Sequence, residues 1–183
     1  MKIIVAVTGA SGSLYAQRLF DRLHELRSQI DEVCVVFSQT AKDVWQCEMP
    51  STPNLYDFME YADTDFFAPI ASGSAKYDAM VVCPCSVGTM GRIAHGTAET
   101  LVTRAADVML KERRKLILAV RETPFSLIHI KNMELITLAG GIICPANPSF
   151  YSRPQAVADV CDTVIDRIID LLGLENNCFR WGK

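Results

Sequence analysis

Short apolar runs alternate along this chain with stretches whose apolar positions recur at helical spacing. Lys2–Val7 is the first run, and it breaks at once into Thr8-Gly9-Ala10-Ser11-Gly12. The segment that follows sets Leu14, Leu19, Leu23 and Leu26 near one helical face. Glu32–Phe37 predicts a second buried strand ending at Ser38, and Thr40–Cys47 a short helix with Thr40 as its N-cap. Ala79–Cys83, Leu116–Val120 and Ile142–Cys144 predict further strands, the last stopped by Pro145. The intervening helices fall at about Ser86–His95, Thr100–Arg113, Ser126–Ala139 and Gln155–Leu172, with Gly173–Lys183 as a tail. Met49–Tyr77 keeps no period and carries Pro50, Pro53 and Pro69, which predicts a functional or contact loop.

Buried strands alternating with helices imply an α/β fold: a doubly wound, Rossmann-like three-layer sandwich on a mainly parallel sheet. Residues 1–183 read as a single domain, without internal repeat or linker. Ligands in such folds sit beyond the carboxyl ends of the strands. The informative segments are therefore those after Val7, Phe37, Cys83, Val120 and Cys144.

A net charge of -3 argues against a nucleic-acid surface, though a few convergent Arg and Lys side chains suffice for a small anion. Met1–Val7 is too short for a signal core, and later apolar stretches are cut by charge, so neither export nor a membrane span is expected. Of the seven cysteines, Cys34, Cys83, Cys85, Cys144 and Cys161 lie in apolar runs and are expected to be reduced and buried in a cytoplasmic protein. Cys83-Pro84-Cys85 has no second ligand pair, so core packing is favoured there over a metal.

Thr8-Gly9-Ala10-Ser11-Gly12-Ser13 joins the first strand to the first helix, where a tight turn and free helix-start amides attract phosphate. The usual NAD fingerprint is not met: Ala10 stands in place of the second glycine, and Ser38 rather than an acid follows the second strand. Pro84-Cys85-Ser86-Val87-Gly88-Thr89 repeats the arrangement after the third strand, with Ser86 placed to cap the next helix. Arg104 and Lys111 fall on one helical face, and Arg121-Glu122-Thr123-Pro124 directly follows a buried strand. Charges pinned at that position are costly unless a ligand or partner answers them. Tyr151 follows the fifth strand, and Arg167 lies on the last helix.

Together with Ala71-Ser72-Gly73-Ser74, Leu110-Lys111-Glu112-Arg113-Arg114, Pro148–Pro154 and Arg180-Trp181-Gly182, these segments resemble the UbiX family of flavin prenyltransferases, in order from first strand to tail. The resemblance implies transfer of a dimethylallyl group from dimethylallyl monophosphate to N5 and C6 of reduced FMN. It implies no metal, a homo-oligomer (a dodecamer) with each flavin site at a subunit boundary, and a product used by UbiD-type decarboxylases. Carried over by position, Gly9, Ala10, Ser11, Ser38, Ser86, Thr89 and Arg121 resemble the FMN contacts, with Val87 and Gly88 through backbone alone. Arg104, Lys111, Arg121, Tyr151 and Arg167 are similar to the groups around the prenyl phosphate. Glu122 resembles the acid/base at that phosphate, and Glu48 the carboxylate tied to ring closure, expected to reach a neighbour's site from the long loop. Ser11 resembles the residue steering protons near N5, and Trp181 an aromatic wall.

Two other functions fit the fold. A flavin-dependent cysteine-type decarboxylase uses an early His and a Pro-x-Met-Asn segment, whereas this chain has Pro145-Ala146-Asn147-Pro148, and His24, His95 and His129 fall in predicted helices. A non-catalytic FMN carrier would leave the Arg and Lys cluster idle.

Overall fold

A computed structural model of the chain describes residues 1–182. In chain order its elements are β1 (Lys2–Val7), α1 (Ser13–Glu25), β2 (Glu32–Phe37), α2 (Gln39–Glu48), β3 (Met59–Ala62), β4 (Ala79–Cys85), α3 (Val87–Ala94), α4 (Leu101–Lys111), β5 (Lys115–Val120), α5 (Leu127–Leu138), β6 (Ile142–Ile143) and α6 (Val157–Leu172). The strands form one six-stranded parallel sheet in the order β3-β2-β1-β4-β5-β6. The chain winds outward from β1 to β3, then returns to lay β4 against the other side of β1. That reversal opens a crevice between the carboxyl ends of β1 and β4, where ligands of doubly wound sheets bind.

Side chains alternate across the central strands, so both faces are apolar. On one face Ile3, Val5 and Val81 pack with Leu19, Phe20 and Leu23 of α1 and Ile165, Ile168 and Ile169 of α6. On the other, Ile4, Met80 and Leu118 pack with Met90 of α3 and Leu101, Ala105 and Met109 of α4. The inward stripe of α1 therefore runs through Ala16, Leu19, Phe20 and Leu23, while Leu14 and Leu26 stand at its margins.

The structure departs from the sequence reading in three places. The Met49–Tyr77 stretch contains β3, an edge strand with mostly exposed side chains and so no alternation to detect. β4 runs on to Cys85 through a register shift against β5, because Pro84 and Cys85 are as buried as the strand before them. Ser38, not Thr40, caps α2: its side chain accepts from the Ala41 amide, and Thr40 already lies inside the first turn.

Candidate active site

Four strand ends are tied together at the crevice. Thr8, buried at the end of β1, donates its hydroxyl to the Pro84 carbonyl (2.8 Å) and accepts the Ser86 amide (2.8 Å), locking the β1 and β4 loops. The Ser38 amide donates to the Val7 carbonyl and the Arg121 amide to the Cys85 carbonyl, so the ends of β2 and β5 join the same frame. Sequence reasoning passed over Thr8, although a hydroxyl directly following a fully apolar strand was a visible signal.

Gly9 is needed for close approach: a Cβ there would sit 2.5 Å from the Thr40 hydroxyl at the start of α2. Ala10 is buried beneath this turn, while Ser11 is exposed, with its hydroxyl turned to the Glu48 carboxylate. Ser86 caps α3 by accepting the Thr89 amide, as expected. Thr89 itself is buried, its hydroxyl engaged by Ser86 and Arg92, so it supports the cap from beneath. Val87 and Gly88 form the first turn of α3, and a Cβ at Gly88 would touch the tip of Arg92 at ordinary contact distance (3.9 Å).

The start of α1 corrects the phosphate reading. Its amides are not free, because the Glu48 carboxylate accepts from Gly12 N (2.9 Å) and Ser13 N (2.8 Å). Glu48 is the last residue of α2 and turns back onto its own chain, so it is not placed for a neighbour's site. Burial raises its pKa, but hydrogen bonds from the Ser11 hydroxyl, the Ser13 and Gly12 amides and the Ser13 hydroxyl prevail and bring it down to about 2. The start of α2 remains for an anion: no acid lies in its first turn, and the hydroxyls of Ser38 and Thr40 stand together there (3.2 Å).

Arg121 leaves β5 half-buried and donates through Nε to the Ser11 carbonyl (3.1 Å). Glu122, also half-buried, accepts the Thr123 amide (2.9 Å) and, among the described residues, no other donor. One chain thus brings together Gly9, Ser11, Ser38, Glu48, Ser86, Arg121 and Glu122. The hydroxyl-rich donor set, with its one clamped carboxylate, fits a flavin mononucleotide, whose phosphate and ring edge both need donors.

The groups expected around a second anion are not gathered within one chain. α4 runs antiparallel to the strands, from a start held by Asp63 just past β3 to Lys111 just before β5. Lys111 therefore lies at the amino ends of the strands, roughly 20 Å from Arg121 at 3.3 Å per residue of β5. Arg104, higher on α4, donates to the Ala71 carbonyl (3.1 Å) and pairs with Asp107 (2.7 Å). Arg167 projects from α6 beside Cys144, whose thiol is raised by burial and lowered by that guanidinium. Tyr151 and Trp181 are brought together, ring centroids 4.7 Å apart, in an exposed pair.

Cys34, Cys83, Cys85, Cys144 and Cys161 are buried and free, as the sequence implied. Burial pushes up the thiols of Cys83 and Cys85, the latter to about 12, so both act as small apolar packing groups. Among the described residues no three His, Cys, Asp or Glu side chains converge as metal ligands, and no helix is long and apolar enough to cross a membrane.

Residues 1–173 match the Flavoprotein family. The flavin prenyltransferase UbiX of Methanocaldococcus jannaschii is 43% identical, over 100% of this chain and 99% of that protein. The dodecameric FMN-dependent UbiX-like decarboxylase of Escherichia coli O157:H7 superposes with a TM-score of 0.94 at 40% identity, covering 100% of both chains. AnUbiX (PadA1), in complex with FMN and dimethylallyl pyrophosphate, superposes with a TM-score of 0.90 at 37% identity, covering 98% of both.

Proposed function

The chain belongs to the flavoprotein family, among its UbiX-type flavin prenyltransferases, and from that premise we propose how its residues divide the transfer of a dimethylallyl group to reduced FMN. The observation that carries this reading is the crevice where Arg121 reaches Ser11 across the ends of β1 and β5, with Glu122 beside it. Reduced FMN supplies the nitrogen and carbon that accept the prenyl group. Ser38, Thr40 and the start of α2 hold its phosphate, while Ser11, Ser86 and Arg121 orient the ring. Glu122 delivers or relays a proton at the departing phosphate. Arg104, Lys111, Arg121, Tyr151 and Arg167 take up the charge that grows on that phosphate, a task a metal performs elsewhere. Trp181, packed edge-on against Tyr151, offers an aromatic face to the cation-like allylic carbon.

Since Lys111 and Arg121 lie at opposite ends of the sheet, this division requires neighbouring copies to complete each site. The surface supports assembly. Leu127, Ile128, Ile130, Leu135 and Leu138 of α5 are all exposed, an apolar face of the kind that marks a contact. Replacing Ile128 and Leu138 by Glu is expected to lower the particle mass in light scattering, with loss of prenyl transfer in the smaller species. An unchanged mass would move the contact elsewhere. We further propose that the protein works in the cytoplasm, a reading its buried free cysteines support, and that its product passes to a UbiD-type decarboxylase.

The deciding experiment supplies reduced FMN and dimethylallyl monophosphate under anaerobic conditions and measures the mass of the released flavin. A gain of one five-carbon prenyl unit is expected. Bound but unmodified FMN would favour the carrier.

A further inference from the structure

Around Lys111 the structure holds a second, smaller arrangement. Lys111 Nζ donates to Glu112 Oε1 at 2.5 Å, and Arg114 lies 3.8 Å from the other carboxylate oxygen. Arg114 in turn donates to the Gly73 carbonyl (2.7 Å), which fixes the Ala71-Ser72-Gly73-Ser74 loop against the end of α4. Gly73 abuts the same carboxylate, and a Cβ there would fall 2.4 Å from Glu112 Oε1. That position therefore leaves room for the carboxylate only because it lacks a side chain. Hydrogen bonding and charge from Lys111, aided by Arg114, hold the Glu112 carboxyl below the usual carboxylate range, so that carboxylate is ionised at neutral pH.

A lysine that must receive a phosphate is here already matched to an anion of its own chain. A phosphate dianion cannot approach that ammonium closely while the carboxylate stays, because like charges repel. We propose that Glu112 is the resting counter-ion of Lys111, a positioning residue that holds the ammonium until phosphate displaces it and so weakens the enzyme's grip on both prenyl phosphate and the phosphate product. This rests on Lys111 being a phosphate-binding group, as read above. The physical logic is competitive. An exposed ion pair is worth little, so phosphate can break it, yet its loss on binding still subtracts from phosphate affinity. A site that must release inorganic phosphate after each transfer gains from such a competitor.

The test measures inhibition of prenyl transfer by inorganic phosphate, competing with dimethylallyl monophosphate in the assembled, FMN-loaded protein. Glu112→Gln keeps the shape and loses the charge, and should tighten phosphate inhibition about threefold. Gly73→Ala should act in the same direction by forcing the carboxylate off Lys111, with Glu112 itself intact. Both effects should vanish when Lys111 is Met. Unchanged inhibition in Glu112→Gln and Gly73→Ala, with clear weakening in Lys111→Met, would overturn the counter-ion role and leave Lys111 as a phosphate ligand. Unchanged inhibition in Lys111→Met would overturn both.

Discussion

Replacing Glu122 by Gln is expected to slow prenyl transfer on the order of 10²- to 10³-fold while FMN stays bound. The amide fills the same space at the end of β5 and can still accept the Thr123 amide, the one hydrogen bond this side chain makes among the described residues. The frame that orders the crevice does not pass through it: Thr8, Ser38 and Arg121 hold the four loops by their own bonds. What disappears is a group able to carry a proton to the leaving phosphate, and positioned acids and bases of this kind contribute about two to four powers of ten. Flavin absorbance of the purified variant and single-turnover rates separate the two effects. A variant purified without flavin would assign Glu122 to the scaffold.

Glu48→Gln is expected to lower stability and turnover together. Its carboxylate closes the first turn of α1 from the end of α2, so the change removes a charged N-cap. With the side chain largely open to water, the cost is about 1–2 kcal/mol, or roughly 3–6 °C in Tm. The pH dependence has a definite sign. The folded-state pKa, about 2, lies below the ordinary 4.5, so the contribution is complete above that ordinary value and fades as pH falls toward 2. Melting curves of the two proteins should differ near neutral pH and converge in acid. A carboxylate held this low is a poor base, since a good one titrates near the working pH. Its reach to Ser11 therefore matters more than its basicity. Lost turnover with an unaltered melting curve would restore Glu48 as a simple base.

Much of this was legible from residue order, and the rest fails for identifiable reasons. β1, β2, β4 and β5 are buried on both faces, so each is written as an unbroken apolar run. β3 lies at the sheet edge with Met59, Glu60 and Ala62 exposed, and leaves no such mark. The loops at the strand ends could be singled out because the fold obliges ligands to bind there. Local pattern could not show that Glu48 folds back on Gly12 and Ser13, because a contact between the end of one helix and the start of another is set by packing. Nor could it show that Arg104 and Lys111, which share a helical face, lead away from Arg121: that follows from the direction in which α4 crosses the sheet.

That direction has a genetic consequence. Where a neighbour's α4 supplies what each crevice lacks, the unit of inheritance and the unit of catalysis are no longer the same. Two alleles, one damaged at Lys111 and the other at Glu122, can rescue one another in a single cell, because mixed particles contain some junctions with both residues sound. By the same logic, an allele damaged at both residues spoils more junctions than its share of the protein, and selection acts on the encounter between copies as well as on each copy.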